Sequence, residues 1–464
     1  MSAGQSSTGQ SNTGQSSAGQ SNTEQSLGLV PGRTWRNWGR SERIRPRLVA
    51  RPQSVDEVVA VLRYARERGL GVKAIGAGHS FTAIAAAPGI QLDLSRLDGL
   101  LAVDAATARV TLAAGTRLYQ LPALLGPHGL AMENMGDIDR QSISGATSTG
   151  THGTGSAFVG LAGQIVAVTL VTADGSILRV SENENTELLP AARLGLGALG
   201  ILVDITVQCV PAFMLSAVER PEPLERVLDE FDARARAVDH FEFYWFPHTR
   251  TALTKNNSRL DGSAERHPLP AVTEWLEDRV LSNSVLSLMC NVGRVAPALT
   301  PGINRLAGRL IGNRDFTDYS PEVFVTARKT RFREMEYAIP RAAIPDAVRA
   351  IDRLIADRGW RISFPVEVRV AASDDIWLST AQGRESGYIA VHRYFRDDYR
   401  EYFEGVERIM RGLGGRPHWG KIHRQDAGSL AEVYPHFSEF LAVRDRLDPD
   451  RVFTNPYLDR VLGA

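Results

Sequence analysis

The feature that most limits what this chain can become is a run of fourteen residues. Ser142-Ile143-Ser144-Gly145-Ala146-Thr147-Ser148-Thr149-Gly150-Thr151-His152-Gly153-Thr154-Gly155 packs four glycines and seven hydroxyls between two well-patterned segments. Glycine lets backbone approach another group closely, and hydroxyls donate or accept as needed. A nucleotide P-loop would require Gly-Lys-Ser/Thr, and the run has no lysine. A second segment, Ala74-Ile75-Gly76-Ala77-Gly78-His79-Ser80-Phe81-Thr82, follows a predicted strand. It lacks the third glycine of a Rossmann fingerprint, and no helix opens after it. A phosphate here would be held by successive backbone N–H groups. A third cluster is Gly195-Leu196-Gly197-Ala198-Leu199-Gly200-Ile201.

Three such segments between residues 74 and 201 suit an extended dinucleotide better than a single phosphate. An FAD laid between two halves of a domain would need that many backbone approaches. Composition removes other readings. Lys+Arg 53 balances Asp+Glu 53, which argues against a nucleic-acid partner. No apolar run is long enough for an integral membrane segment. Cys209 and Cys290 are too few for a disulfide framework and read as buried thiols in a reducing, cytoplasmic setting. There is no HExxH and no Cys/His zinc spacing, so no metal site is expected. Residues 1–26 repeat Gln-Ser at every fifth position, are poor in apolar side chains, and are expected to be disordered.

The remaining chain reads as α+β. Ser54 to Gly69 predicts a helix with capping-box spacing at Ser54 and Glu57. Val72–Ile75, Ile90–Leu94, Val110–Leu112, Ile165–Thr172, Ile177–Val180 and Ile201–Val207 read as strands, and Leu118–Leu125 as a short helix. Further on, Leu224–Ala237, Ile344–Arg358, Tyr399–Arg411 and Ser429–Arg446 read as helices. Phe241–Phe246, Phe364–Val370 and Tyr388–Phe395 read as strands, and 257–268 as a polar loop. In Phe364–Val370 the apolar residues fall on one side, with Glu367 and Arg369 on the other. Strands alternating with helices in this half predict an antiparallel sheet with helices on one face.

Three groups carry candidate chemistry. His79 lies inside the first glycine segment. His418-Trp419-Gly420-Lys421-Ile422-His423 is a compact basic and aromatic cluster that could place a cation beside a flavin. Glu367 and Arg369 could hydrogen-bond a polyhydroxylated substrate if their face lines a pocket.

Together these motifs resemble the vanillyl-alcohol-oxidase (PCMH) type FAD flavoproteins, and within them the sugar-1,4-lactone oxidases and dehydrogenases. The resemblance is carried by Gly76-Ala77-Gly78-His79-Ser80, Ser144-Gly145 through Gly153, Gly197-Ala198-Leu199-Gly200-Ile201, His240-Phe241-Glu242-Phe243-Tyr244-Trp245-Phe246-Pro247, Glu367-Val368-Arg369, His418-Trp419-Gly420-Lys421 and Phe453-Thr454-Asn455-Pro456-Tyr457-Leu458.

The resemblance implies an FAD domain from residues 27–210, a cap or substrate domain from 211–415, and a C-terminal segment, 416–464, returning to the FAD domain. It implies that His79 bonds covalently to the flavin. Ala74, Ile75, Gly76, Ala77, Gly78 and Ser80 would wrap the pyrophosphate. Asp139, Ser144, Gly145, Thr147, Thr151, His152, Gly153, Thr154 and Ile201 would also touch FAD. Glu367, Arg369 and Lys421 fall on substrate-site positions, and His392 on the position of a catalytic base. The implied reaction is oxidation of a sugar-1,4-lactone at a secondary hydroxyl, with hydride passing to flavin N5 and an ascorbate-type product. The partners are then the lactone and O2 or another electron acceptor. Gly136, where relatives carry either Gly or a methyl-bearing residue, favours an oxidase by leaving room for O2. The alternatives are an alditol or polyol oxidase, or a lactone dehydrogenase using an acceptor other than O2.

Overall fold

The computed structural model describes residues 24–262, 264–270, 286–310, 312–326 and 330–464. The repeat over residues 1–23 lies outside the described residues. Glu24–Ser26 do not follow the expectation of disorder: they are helical, and the Glu24 carboxylate accepts the Tyr64 hydroxyl proton at 2.6 Å.

Three β-sheets organise the chain. The first joins Leu48–Ala50, Ile90–Asp93 and Val72–Ile75 in parallel, with Val30–Pro31 added antiparallel at one edge. Its crossover is the helix Val55–Glu67, which buries Val58, Val59, Leu62 and Ala65. The Ser54 side chain caps it by accepting from Glu57 N at 3.2 Å, while the Glu57 carboxylate reaches back to Gln53 N at 2.8 Å. Gly69, with φ +60°, turns the chain out of the helix.

The second sheet is antiparallel, in the order Ile177–Ser181, Ile165–Val171, Ile201–Gln208, Arg109–Ala113 and Leu100–Asp104. Asp174 shapes its expected hairpin by accepting from Ser176 N at 3.0 Å and the Thr172 hydroxyl at 2.6 Å. The C-terminal helices Ala427–Ala431, Phe437–Leu447 and Pro456–Leu462 add Leu430, Phe440, Leu458 and Val461 to the core shared by these two sheets.

The third sheet decides the chemistry. Eight antiparallel strands run in the order Arg314–Tyr319, Met214–Pro223, Thr251–Arg259, His240–Trp245, Val366–Ala371, Ser386–Tyr394, Phe332–Pro340 and Arg416–Pro417. Side chains alternate across a pleated strand, so each central strand divides its residues between two faces. Phe241, Phe243, Trp245, Met335, Tyr337, Val366, Val368, Val370, Ile389 and Val391 meet the helices Leu224–Asp229, Phe231–Ala237, Ile344–Asp357 and Arg400–Gly412 in one apolar cluster. The intervening Glu242, Tyr244, Glu334, Glu336, Glu367, Arg369 and His392 are thereby placed on the opposite face, toward the glycine segments.

Some sequence expectations shift. The Ser142–Gly155 run is not all loop: Ile143–Ser148 is helical, with the Ser142 hydroxyl accepting from Gly145 N at 3.3 Å. Leu224–Ala237 divides at Glu230. Ser429–Arg446 divides into Ala427–Ala431 and Phe437–Leu447, with Pro435 unable to continue a helix. The strand expected from Phe364 starts at Val366, after Pro365, which has no ladder donor. Residues 257–259 belong to a strand rather than a loop, because the polar Asn257, Ser258 and Arg259 pair with Ala217, Ser216 and Leu215.

Candidate active site

Two cavities meet where the glycine segments face the large sheet. One, about 840 Å³ with its open mouth, is lined by Ala74, Ile75, Gly76, Ala77, Gly78, Ser144 and Gly145, among others. The other, about 680 Å³ with its mouth, is lined by residues that include Glu367, Arg369, His392, Lys421, Thr151 and His152. His79, Ser80, Gln141 and Thr149 line both, so His79 stands at their junction.

The first cavity is a backbone cradle. A Cβ on Gly76 would meet Ser142 Oγ. Gly78 takes φ +70°, a left-handed turn that exposes successive N–H groups. A long dinucleotide fits such a trough. Lys73, which the sequence reading passed over, lines the same cavity and hydrogen-bonds Gly197 O at 2.9 Å and Phe453 O at 3.0 Å. Burial pulls its amine down to about 7, against the pull of Asp448.

The chain ties the two cavities together by backbone. Phe81 N donates to Gly420 O at 2.6 Å, and the Thr82 hydroxyl donates to Trp419 O at 3.0 Å. These bonds bring the His418–Lys421 loop beside His79. Burial, then Lys421, Arg117 and Arg140, lower His79 to about 4, so its ring is neutral at physiological pH and retains a nucleophilic lone pair.

The charged face is built from register. Tyr244 pairs with Glu367, Glu367 with Ala390, Arg369 with Tyr388, and Glu334 with His392. Arg369 contacts Glu367 at 2.5 Å, Glu242 at 2.8 Å and Asp137 at 3.5 Å. Burial disfavours its charge, but these carboxylates hold its value well above that of ordinary arginine. Glu334, absent from the sequence reading, bonds Lys421 through one oxygen and lies 3.6 Å from His392 Nε2 through the other. Burial works against its ionisation, yet Lys421 and His392 hold it down at about 2. Lys421 is likewise kept charged by Glu334 and Glu336 against its own burial. His392 Nδ1 sits 3.1 Å from Pro365 O, which can only accept. The tautomer with its proton on Nδ1 donates to that carbonyl and sets its Nε2 beside Glu334 at the cavity wall.

Glu336 is the second carboxylate missed from sequence. It contacts His152 Nε2 at 3.2 Å, and the His152 ring stacks on Tyr388 at 3.7 Å. His152, Glu336 and His418 bring ligand-type atoms within 4.8 Å of one another. Gly420 N donates to His418 Nδ1 at 3.0 Å, which places the proton of neutral His418 on Nε2. Neither nitrogen then offers a free lone pair to a cation. The signal for Glu334 and Glu336 was present in Arg333-Glu334-Met335-Glu336-Tyr337, whose alternation marks a strand with one acidic face.

Five residues expected at FAD, Thr147, Thr154, Gly153, Ile201 and Asp139, line neither cavity. Thr147 turns its hydroxyl back to Ile143 O at 2.9 Å, inside its own helix. The Thr154 hydroxyl donates to Phe241 O at 2.5 Å and accepts from Val370 N at 3.2 Å, stitching the glycine run to the large sheet. Gly153 packs against Asn134 and Met135, Ile201 is buried at the start of its strand, and Asp139 pairs with Arg140 at 3.2 Å.

A backbone-lined trough opening onto a cavity of paired charges defines an FAD-dependent oxidoreductase. The comparisons agree. Residues 46–181 match the FAD binding domain family, and residues 205–461 match the D-arabinono-1,4-lactone oxidase family. L-Gulono-1,4-lactone dehydrogenase of Mycobacterium tuberculosis is 44% identical, over 92% of this chain and 99% of its own length. L-Gulonolactone oxidase of Bos taurus is 35% identical, over 93% and 98%. Among solved structures, cholesterol oxidase from B. sterolicum superposes with a TM-score of 0.77 at 17% identity, covering 94% of this chain and 97% of that one. The chain belongs to the D-arabinono-1,4-lactone oxidase family, and FAD is its cofactor. Among the described residues no helix is long and apolar enough to cross a membrane.

Proposed function

We propose that this protein oxidises a sugar-1,4-lactone of the arabinono-, gulono- or galactono- type at the C2 hydroxyl, giving an ascorbate-type product after enolisation. The observation that carries this reading is the single cavity walled by Glu367, Arg369, His392 and Lys421 and opening at His79 onto the dinucleotide trough. When bound, FAD supplies the hydride acceptor. His392 Nε2 takes the proton of the substrate hydroxyl. The Glu367 carboxylate, fixed by Arg369, accepts hydrogen bonds from the sugar hydroxyls. Arg369 and Lys421 supply positive charge against the negative charge that develops. Glu334 holds Lys421 in place and faces the imidazolium formed at His392. Ala74–Ser80, Ser144 and Gly145 hold the dinucleotide, and His79 carries the covalent bond to it.

Steady-state turnover on aldono-1,4-lactones against xylitol and sorbitol tests the substrate. Turnover on lactones supports the reading, and turnover confined to the alditols overturns it in favour of a polyol oxidase. The covalent bond is tested by denaturing the protein and its His79→Ala variant. Yellow colour should stay with the wild-type chain and leave the variant.

A further inference from the structure

Lys73 has a place in the fold but no task in the chemistry above. It stands on the strand Val72–Ile75, three residues before Gly76, and is 3% exposed. A lysine buried this deeply ordinarily has a carboxylate beside it. Asp448 is the charged group that acts on it, yet the Asp448 carboxylate accepts from Val452 N at 2.7 Å and Phe453 N at 2.8 Å. Among the described residues no ion pair joins Lys73 to Asp448. The ammonium donates instead to two neutral carbonyls, Gly197 O and Phe453 O. It has three protons, so among the described residues one donor is left over, and its charge lacks an anion.

The position of that donor points to its acceptor. Lys73, Gly197 and Gly200 line the trough and not the charged cavity, whereas His79 lines both. Lys73 is therefore on the stretch of the trough that the two cavities do not share. Its two carbonyl bonds, with Val72 N donating to Val452 O at 2.7 Å, join three segments around that stretch. These are the strand before the first glycine turn, the third glycine cluster and the C-terminal Val452–Phe453. The strand partner of Lys73 is the uncharged Gln91, and residues 195–201 carry no titratable side chain. A dinucleotide in the trough brings the missing anion, its pyrophosphate.

We propose that Lys73 binds the ADP half of FAD, donating its remaining N–H to that half and setting its charge against the pyrophosphate. This role needs FAD but no particular substrate, so it stands whether or not a lactone is oxidised. It also makes the loading of FAD take up a proton. Before FAD binds, burial holds the amine at about 7, against the pull of Asp448. At pH 8 most of it is neutral, and a pyrophosphate beside it favours the charged form. The amine then gains one proton from solvent as FAD enters. His418, which lines the charged cavity, is lowered to about 4 and takes no part at this pH.

The test uses the full chain carrying His79→Ala, from which FAD can be removed, and titrates the stripped protein with FAD and with ADP. Calorimetry at pH 8 in two buffers of different ionisation enthalpy counts the protons exchanged. FAD should bind with uptake of more than about half a proton. Adding Lys73→Met should abolish the uptake and weaken both FAD and ADP by at least about tenfold. Adding Lys73→Arg, which stays charged, should keep FAD bound while abolishing the uptake. A lysine that only braces the fold could weaken FAD on replacement but would not move the proton count. FAD binding without proton uptake in the parent would overturn the proposal, as would FAD and ADP affinities unchanged in Lys73→Met. Should Lys73→Met fail to fold, Lys73→Arg decides: FAD bound with the uptake gone supports the role, and uptake unchanged overturns it.

Discussion

The two faces of the large sheet are made by the same strands and obey opposite rules. Toward the helices, Phe243, Val368, Ile389 and Met335 are held by burial alone, worth roughly 1.5–3 kcal/mol for each large side chain. Toward the flavin lobe, Glu242, Glu367, Arg369, Glu334 and His392 are nearly as buried but each depends on a charged partner. A buried apolar residue can be trimmed at the cost of a cavity. A buried charge that loses its partner is left uncompensated.

The sharpest contrast is between neighbours one position apart. Arg369→Met removes the guanidinium that Glu242, Glu367 and Asp137 share. It should cost about 3–5 kcal/mol of stability by denaturant unfolding and lower the rate of flavin reduction by roughly 10²–10³-fold. Val368→Ala, on the other face, should cost roughly 1–3 kcal/mol and leave that rate unchanged. Equal effects on rate from the two substitutions would break the comparison.

Buried histidines give the next effect. His240 and His418 are lowered to about 4 and His423 to about 3, chiefly by burial. Each is neutral when folded and gains a proton on unfolding at a higher pH. Their contribution is present above the unfolded value of about 6.5 and is lost as pH falls toward 4 and then 3. A shift of this size is worth roughly 3 kcal/mol per histidine, so the urea midpoint should drop steeply below pH 6.5. A midpoint flat between pH 6.5 and 4.5 would contradict the assignment.

A smaller effect sharpens the role of Glu334. Glu334→Gln should slow flavin reduction by lactone roughly tenfold, because Lys421 and His392 lose the carboxylate between them. If His392→Asn reduces its flavin at the wild-type rate, His392 is not the base. The smallest effect belongs to Gly136, where an added Cβ would sit 3.1 Å from His152 O and 3.3 Å from Thr151 Cγ2. Gly136→Ala should slow reoxidation by O2 a few-fold, in stopped flow, without changing reduction by lactone.

The helix-facing side was legible in the sequence because alternation of Phe241-Glu242-Phe243 or Val366-Glu367-Val368 carries the period of a strand directly. The glycine segments were legible for a similar reason, since closely approaching backbone leaves a composition that little else explains. What brings Glu334 and Glu336 into the cavity is not local. It depends on Phe332–Pro340 pairing with Ser386–Tyr394, a register that sets Glu334 opposite His392 and Glu336 opposite Ala390, far along the chain. The hydroxyls of Thr147 and Thr154 show the converse. Their composition suits cofactor binding, but one is spent on its own helix and the other on joining two parts of the fold.

The charged face of the large sheet is the proposed place where a lactone is oxidised. Anaerobic mixing of the FAD-loaded protein with L-gulono- or D-arabinono-1,4-lactone tests it most directly, alongside Glu367→Gln with its flavin still bound. The wild-type flavin should bleach, and bleaching should slow by roughly 10²-fold or more in the variant. Bleaching at the same rate in both proteins, or a wild-type flavin that no aldonolactone reduces, would contradict it.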